Sequence, residues 1–176
     1  FMSEKQKGYV QVYTGDGKGK TTAAIGLAVR AAGRGQRTFV GQFMKGMFYG
    51  ELEALKDNWL IEIKQFGWED CIRKEQVNET HIEITRNGLE ECRKKMLSGF
   101  YGIVILDEIL VAQWFGLIGE KELLDFISQR PAETELVLTG RNASEPVLEK
   151  ADLITEMKNV RHYYDDGLQA RKGIEY

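Results

Sequence analysis

The stretch Thr14-Gly15-Asp16-Gly17-Lys18-Gly19-Lys20-Thr21-Thr22 decides the fold, because it separates two segments of different character. Tyr9 to Thr14 has the β-branched and aromatic composition of a strand, and Lys20 to Ala32 is rich in alanine and leucine, as a helix is. Glycines in a strand-to-helix turn let successive N–H groups point at an anion, beside the positive end of the helix dipole. We therefore predict a phosphate-binding loop.

Within this loop, Lys20 supplies a mobile positive charge, and the Thr21 hydroxyl is placed to ligate the magnesium ion that accompanies nucleotide phosphates. All nine residues, Thr14 to Thr22, are predicted to bind the phosphates of a nucleotide. Thr14 fills the first glycine position of the standard pattern, and Gly15 comes one place late. A glycine-rich turn with a solvated lysine is the alternative reading of the same residues.

Apolar runs of strand composition alternate with helical patterns along the rest of the chain, which predicts βαβ units and a mainly parallel sheet. The fold class is α/β, a RecA-like P-loop NTPase fold with flanking helices, and residues 1–176 are expected to form a single domain. Further strands are predicted at Thr38–Phe43, Leu60–Gln65, Ile103–Leu106, Glu135–Thr139 and Leu153–Met157, and further helices from Glu51, over Glu79–Leu97 and from Ser144.

The composition is that of a soluble globular protein, with 43% hydrophobic and 29% charged residues. A net charge of −3 and the lack of a clustered basic patch argue against nucleic-acid binding. No apolar run is long enough to span a membrane. Cys71 and Cys92 have no metal-type spacing and are expected to be reduced thiols, so the predicted compartment is the cytoplasm.

The continuous apolar run Ile103 to Leu106 is typical of a strand buried on both faces, and it ends in Asp107-Glu108. A carboxylate at the tip of such a strand commonly faces the phosphate loop and holds the metal ion, directly or through water. Asp107 and Glu108 are therefore both candidate metal ligands. Acidic residues that merely begin a turn are the alternative.

These features resemble the ATP:corrinoid adenosyltransferase family of the P-loop, cobalamin-synthesis type. The resemblance covers nearly the whole chain and rests on an ordered set of motifs. They are Val12 to Ala24, Gln42-Phe43-Met44-Lys45-Gly46, Leu138-Thr139-Gly140-Arg141, Ala151 to Met157, Arg161-His162 and Gly173-Ile174-Glu175-Tyr176.

The resemblance implies that Co(I) of a reduced corrinoid attacks the ribose 5′-carbon of ATP and that triphosphate leaves. It implies Lys20, Thr21 and Glu108 as catalytic residues, with Thr21 and Glu108 at the magnesium-associated positions. It also implies a homodimer and an electron-transfer flavoprotein that supplies Co(I).

On the corrinoid side, Phe66 and Trp68 match an aromatic pair of the family. The resemblance implies that this pair displaces the lower axial ligand of cobalt and so makes reduction to Co(I) accessible. Core aromatics at a strand end are the alternative reading of the same two residues.

Arg141 follows a buried strand and could meet phosphate or a corrinoid amide, although a surface arginine fits equally well. Gln42 and Lys45, at the mouth of the second strand, could touch either ligand.

Only Phe1 to Lys7 precede the first predicted strand, whereas larger family members carry a long N-terminal segment over the site. We expect closure over the corrinoid to be looser or to come from elsewhere, such as Glu69 to Asn78.

Two other functions fit part of the pattern. A RecA-like small-molecule kinase or ATPase would share the loop and would use Glu108 to activate water. A non-enzymatic nucleotide switch would bind ATP and reorder its loops without a corrinoid. The nucleotide product distinguishes the three: triphosphate, ADP with phosphate, or neither.

Overall fold

A computed structural model describes residues 7–176, and a six-stranded sheet forms its centre. Phe1 to Gln6, which include most of the N-terminal segment discussed above, lie outside the described residues. The strands are β1 (Val10–Thr14), β2 (Thr38–Phe43), β3 (Ile61–Phe66), β4 (Ile103–Asp107), β5 (Glu135–Thr139) and β6 (Leu153–Glu156).

Helices connect these strands. They are α1 (Lys20–Ala32), α2 (Gly50–Leu55), α3 (Glu79–Leu97), α4 (Ile109–Trp114), α5 (Glu120–Ser128) and α6 (Glu145–Leu148), with a 3₁₀ turn at Lys74–Gln76. None of the helices in the described part of the chain is both long and apolar enough to cross a membrane.

All paired strands run parallel, in the order β3-β2-β4-β5-β1-β6. This confirms the α/β fold class with a parallel central sheet. β5 lies between β1, which precedes the phosphate loop, and β4, which ends in Asp107. Because the carboxyl ends of parallel strands share one edge, the loop, the acidic pair and the segments after β2, β3 and β5 meet there.

The sheet is covered on both faces. Val104, Leu106 and Leu136 belong to a core cluster that includes residues of α3, α4 and α5, whereas Ile105 and Val137 pack with the alanines of α1. Successive side chains of a strand point to opposite faces, so the run Ile103–Leu106 of β4 is apolar at every position. These four residues are buried, as predicted, and so is Asp107 at the end of the strand.

Element ends differ slightly from the sequence predictions. β1 begins at Val10 rather than Tyr9, and β6 ends at Glu156 rather than Met157. β3 is shifted by one residue, so Phe66 is its last residue and does not follow the strand. The helices α4 and α5 were not predicted. α4 is apolar at most positions and so lacks an amphipathic repeat, whereas α5 does carry one, in Leu123, Phe126 and Ile127, that the sequence interpretation missed.

Two helical glycines differ in what surrounds them, and they provide a matched test of the packing. A Cβ on Gly88 in α3 would lie 2.5 Å from Cγ of Phe66, whereas one on Gly26 in α1 would meet no atom within 4 Å. We expect Gly88→Ala to lower the free energy of unfolding by about 1–3 kcal/mol through overpacking. Gly26→Ala should raise it by about 0.5–1 kcal/mol, since alanine favours the helix. Urea denaturation measures both, and a gain from Gly88→Ala would contradict the packing described here.

Candidate active site

A cavity of about 500 Å³ opens at the carboxyl edge of the sheet. Its size suits a nucleotide-sized ligand. Four separate parts of the chain contribute to its wall: the phosphate loop with the start of α1, the segment after β2, the ends of β4 and β5, and the C-terminal segment. The lining residues are 17–22, Ile25, Lys45, 49–51, Glu108, Arg141, His162 and 173–176.

The phosphate loop curls at two glycines with left-handed backbone, Gly15 (φ 95°) and Gly19 (φ 119°). Its other side rests on the end of β6, where the Gly17 N–H donates to the Met157 carbonyl at 2.7 Å. A Cβ on Gly17 would lie 2.7 Å from that same oxygen. Only glycine permits this close approach, and the approach fixes the loop against the sheet.

Lys20 is folded into the loop that it follows. Its side chain has 6% exposure, and Nζ donates to the carbonyls of Gly15 and Gly17, both at 2.7 Å. Burial lowers the pKa of Lys20, and the nearby Glu108 carboxylate opposes that shift. The ammonium is therefore enclosed at the floor of the cavity, where it can exchange carbonyl partners for an anion.

Thr21 and Asp107, both predicted as metal ligands, lie in direct contact. The Thr21 hydroxyl donates to Oδ1 of Asp107 at 2.9 Å, and the Thr139 hydroxyl donates to the same oxygen at 2.7 Å. The Thr139 hydroxyl also accepts the backbone N–H of Glu108 at 3.0 Å. Asp107 has 1% exposure, so these bonds to a charged group stabilise its buried carboxylate. Thr139 lay in a quoted motif, but its role was not predicted.

Lys45 completes this network. Its Nζ lies 2.7 Å from Oδ2 of Asp107 and 3.2 Å from the Thr21 hydroxyl oxygen. Burial alone would lower the pKa of Lys45, but the Asp107 carboxylate, together with Glu108 and Glu51, reverses the shift and the pKa is raised. Two sequence signals pointed to a site role for Lys45: its position after β2, at the carboxyl edge of the sheet, and its place in the motif Gln42 to Gly46.

Glu108 lines the same cavity and has a left-handed backbone, with φ 61°. Burial and the adjacent Asp107 carboxylate raise the pKa of Glu108, whereas Lys45 and Lys20 act in the opposite direction. A carboxylate destabilised by burial beside a second carboxylate favours the approach of a cation. The Thr21 hydroxyl and the Asp107 and Glu108 carboxylates all offer oxygen atoms, the type of ligand that Mg²⁺ prefers.

The C-terminal segment reaches the phosphate loop. Lys18 Nζ donates to Glu175 Oε1 and to the Ile174 carbonyl, both at 2.9 Å. Glu175 also accepts the Arg171 N–H at 2.7 Å and the Tyr163 hydroxyl. The Tyr163 and Lys18 hydrogen bonds hold the pKa of Glu175 well below its usual range. The motif Gly173 to Tyr176 was quoted from the sequence, but its position over the loop was not predictable.

The other predicted residues divide into two groups. Lys18, Gly19, Thr22 and Arg141 line the cavity together with Gly17, Lys20 and Thr21. Thr14, Gly15 and Asp16 do not line it; Thr14 and Gly15 support the loop from behind, and Asp16 is exposed. The exact ligand contacts of all these residues stay predictions.

Phe66 and Trp68 lie outside the cavity. Phe66 has 7% exposure and packs against Phe43, with ring centroids 5.6 Å apart. Trp68 is half-buried and stacks on His81 at 4.2 Å. Phe66 also packs against Gly88 of α3, so its ring belongs to the core in this conformation. The segment 69–78, which follows Trp68, is exposed except at two positions.

The fold and the cavity together define a nucleotide-binding α/β protein, with a glycine-rich loop after β1 and an acidic pair after β4. The family profile described as "ATP:corrinoid adenosyltransferase BtuR/CobO/CobP" matches residues 6–176. The chain therefore belongs to the ATP:corrinoid adenosyltransferase family.

Individual relatives agree with this assignment. The chain is similar to the corrinoid adenosyltransferase of Escherichia coli K12, with 30% identity over 99% of this chain and 89% of the relative. The corrinoid adenosyltransferase CobA of Salmonella typhimurium is 32% identical, with the same coverage of both chains. A corrinoid adenosyltransferase of Sinorhizobium is 33% identical over 97% of this chain and 81% of the relative.

The raised pKa of Glu108 predicts a pH-dependent effect on stability. The folded protein binds the Glu108 proton more tightly than the unfolded chain does, so the ionised side chain destabilises the fold above its raised pKa. We expect Glu108→Gln to raise the free energy of unfolding near neutral pH by on the order of 1 kcal/mol. The gain should shrink as pH falls through the raised pKa and disappear below the ordinary glutamate range.

Denaturant unfolding without nucleotide or divalent cation, between about pH 4 and 8, measures this effect. Glu156→Gln serves as the control, because Glu156 lies on the exposed strand β6 and faces Lys158 at 3.5 Å. Equal gains from both variants, or a Glu108→Gln gain independent of pH, would contradict the assignment.

Proposed function

We propose that this chain transfers the 5′-deoxyadenosyl group of ATP to the Co(I) centre of a reduced corrinoid and releases triphosphate. The observation that carries the proposal is a single cavity, in a member of the corrinoid adenosyltransferase family, that is lined by Lys18, Lys20, Thr21 and Glu108. Cations and loop amides on one side suit a polyphosphate, and the volume leaves room for a nucleoside.

The reaction requires positioning and charge stabilisation more than proton transfer. A cobalt–carbon bond forms, the bond between C5′ and its oxygen breaks, and that oxygen leaves with the triphosphate. Because Co(I) is a strong nucleophile, no side chain has to remove a proton. Lys20, Lys18 and the loop N–H groups stabilise the charge that develops on the departing group.

Magnesium is the expected companion of the triphosphate. We propose Thr21, Asp107 and Glu108 as its protein ligands, directly or through water, because Thr21 and Glu108 line the cavity and the Asp107 carboxylate lies directly behind Thr21. The ion would neutralise charge on the phosphate oxygens. The protein's part is to hold these three donors and to keep Lys20 at the floor of the loop.

The corrinoid would bind on the side of Trp68. The Trp68 backbone packs against Gly46, where a Cβ would lie 2.5 Å from the Trp68 carbonyl carbon. Gly46 is next in sequence to Lys45, which lines the cavity. Trp68 therefore lies beside the proposed nucleotide site. We propose that Trp68 and Phe66 displace the lower axial ligand of cobalt after segment 69–78 moves, and that Arg141 contacts phosphate or a corrinoid amide.

The cellular setting follows from this chemistry. Co(I) must be produced by reduction, so we propose an electron-transfer flavoprotein as a partner. A homodimer is proposed on the resemblance to the family. The thiols of Cys71 and Cys92 are both unpaired, which supports a reducing compartment such as the cytoplasm.

The rival function, a RecA-like kinase or ATPase, would place Glu108 beside an attacking water. That arrangement shares the loop and the acidic pair with the proposed site. The named relatives are corrinoid adenosyltransferases, and this favours adenosyl transfer over phosphoryl transfer.

The nucleotide product tests the proposal. The protein is mixed with magnesium-ATP and chemically reduced cob(I)alamin, and the corrinoid spectrum and phosphate products are followed. We expect light-sensitive adenosylcobalamin and one triphosphate per turnover. Lys20→Met should lower kcat/KM at least about a hundredfold, because a preorganised charge is lost, whereas Lys64→Met at an exposed position should not. ADP formation at the same rate with or without corrinoid would exclude adenosyl transfer.

Trp68→Ala tests the corrinoid side separately. When cob(II)alamin is reduced on the protein by a mild reductant, we expect the rate to fall about tenfold or more, because the axial ligand is no longer displaced. With cob(I)alamin formed beforehand, the rate should stay within about twofold. Trp59→Ala, a largely exposed tryptophan before β3 at the opposite edge of the sheet, is the control. Equal losses in both assays would assign Trp68 a structural role.

A further inference from the structure

One ammonium group already lies among the proposed metal ligands. Nζ of Lys45 is 2.7 Å from Oδ2 of Asp107 and 3.2 Å from Oγ1 of Thr21. Oγ1 of Thr21 itself donates to Oδ1 of the same carboxylate at 2.9 Å. A threonine hydroxyl and a nearby carboxylate are the pair expected to hold Mg²⁺ beside nucleotide phosphates. The lysine therefore occupies space that a divalent cation would need.

The electrostatic reason is the burial of Asp107. A carboxylate with 1% exposure requires a compensating charge. Lys20 does not supply it, because its Nζ donates to the carbonyls of Gly15 and Gly17. Lys45 forms the ion pair with Asp107 instead, and its own side chain has only 12% exposure.

The backbone holds Lys45 in this position. Met44, immediately before it, has a left-handed backbone with φ 57°. A Cβ on Gly67 would overlap the Lys45 backbone, and one on Gly46 would overlap the backbone of Trp68. The segments after β2 and β3 are therefore packed main chain to main chain. This packing fixes the backbone of Lys45, and the ion pair with Asp107 holds its side chain, so Lys45 differs from a freely rotating surface lysine.

We propose that the Lys45 ammonium takes the place of the divalent cation between Thr21 and Asp107 while the cavity holds no nucleotide. Mg²⁺ and an ammonium ion repel each other and compete for the same oxygens, so metal cannot enter until the Lys45–Asp107 pair separates. The phosphates of ATP provide the new partner for the ammonium. Lys45 is thus a positioning residue that makes the metal enter with the nucleotide rather than before it. This inference rests on the magnesium site proposed above.

Direct metal binding in the absence of nucleotide tests the inference. Mn²⁺ is titrated into the nucleotide-free protein, and free Mn²⁺ is measured by electron paramagnetic resonance. Lys45→Gln removes the charge but keeps a donor for Asp107, and we expect it to bind Mn²⁺ at least about tenfold more tightly than the unaltered protein. Lys45→Arg keeps the charge and should bind Mn²⁺ as weakly as the unaltered protein does.

Lys64→Gln is the matched control, because it removes a lysine whose side chain is half exposed and paired with Glu91. It should leave Mn²⁺ affinity unchanged. An unchanged or weaker affinity in Lys45→Gln, or the same gain in Lys64→Gln, would overturn the inference. Adding Thr21→Val to Lys45→Gln should remove the gain, and retention of the gain would place the Mn²⁺ elsewhere and also overturn it.

A measurement on the unaltered protein applies even if the variants do not fold. In protein labelled with ¹⁵N at lysine Nζ, the Lys45 ammonium signal should be unaffected by Mg²⁺ alone and should shift when Mg²⁺ and ATP are added together. A shift with Mg²⁺ alone, or none with both, would contradict the exchange. The adenosyl-transfer assay is independent of this test. If the unaltered protein forms adenosylcobalamin but Lys45→Gln binds Mn²⁺ no more tightly, only this inference is wrong. If Lys45→Gln binds Mn²⁺ more tightly but the unaltered protein forms no adenosylcobalamin, only the proposed function is wrong.

Discussion

Asp107 brings a nearly inaccessible carboxylate to the end of the central strand β4, and the site is organised around its hydrogen bonds. Thr21 from α1, Thr139 from β5 and Lys45 from the segment after β2 all donate to it. A buried charge is tolerated only when such partners are in place. The same interaction that stabilises Asp107 therefore fixes the relative positions of the phosphate loop, the neighbouring strand and the segment after β2.

Uncommon backbone conformations concentrate at the same edge of the sheet. Met44, Glu108 and Asn142 have positive φ angles and follow β2, β4 and β5, respectively. A non-glycine residue in this region costs free energy unless the surrounding structure holds it. The regular core below the edge supplies that support, because β4 and its neighbours are buried on both faces. Rigid strands thus position irregular turns, and the turns carry the side chains that face the ligand.

The segment that carries Lys45 of the cavity wall packs directly against the segment that carries Trp68. Gly46 and Gly67 let the main chains after β2 and β3 approach each other closely, so Trp68 and Lys45 share one packed unit. On the other side of the loop, Glu175 holds Lys18 and brings the C-terminal segment over the cavity. The proposed substrates would therefore meet at a junction of two segments that are distant in sequence, and a displacement of either segment would reach the phosphate loop.

The sequence by itself determined the α/β class, the glycine-rich turn Thr14 to Thr22 between β1 and α1, the buried strand β4 with its terminal acids, and the family, because all of these are local patterns of spacing and composition. It did not determine the strand order, the ion pair of Lys45, the burial of Phe66 or the contact between Lys18 and Glu175. Those features depend on contacts between distant positions: Lys45 and Asp107 are 62 residues apart, and Lys18 and Glu175 are 157 apart. Local periodicity carries no information about such pairs, so only the tertiary structure decided them.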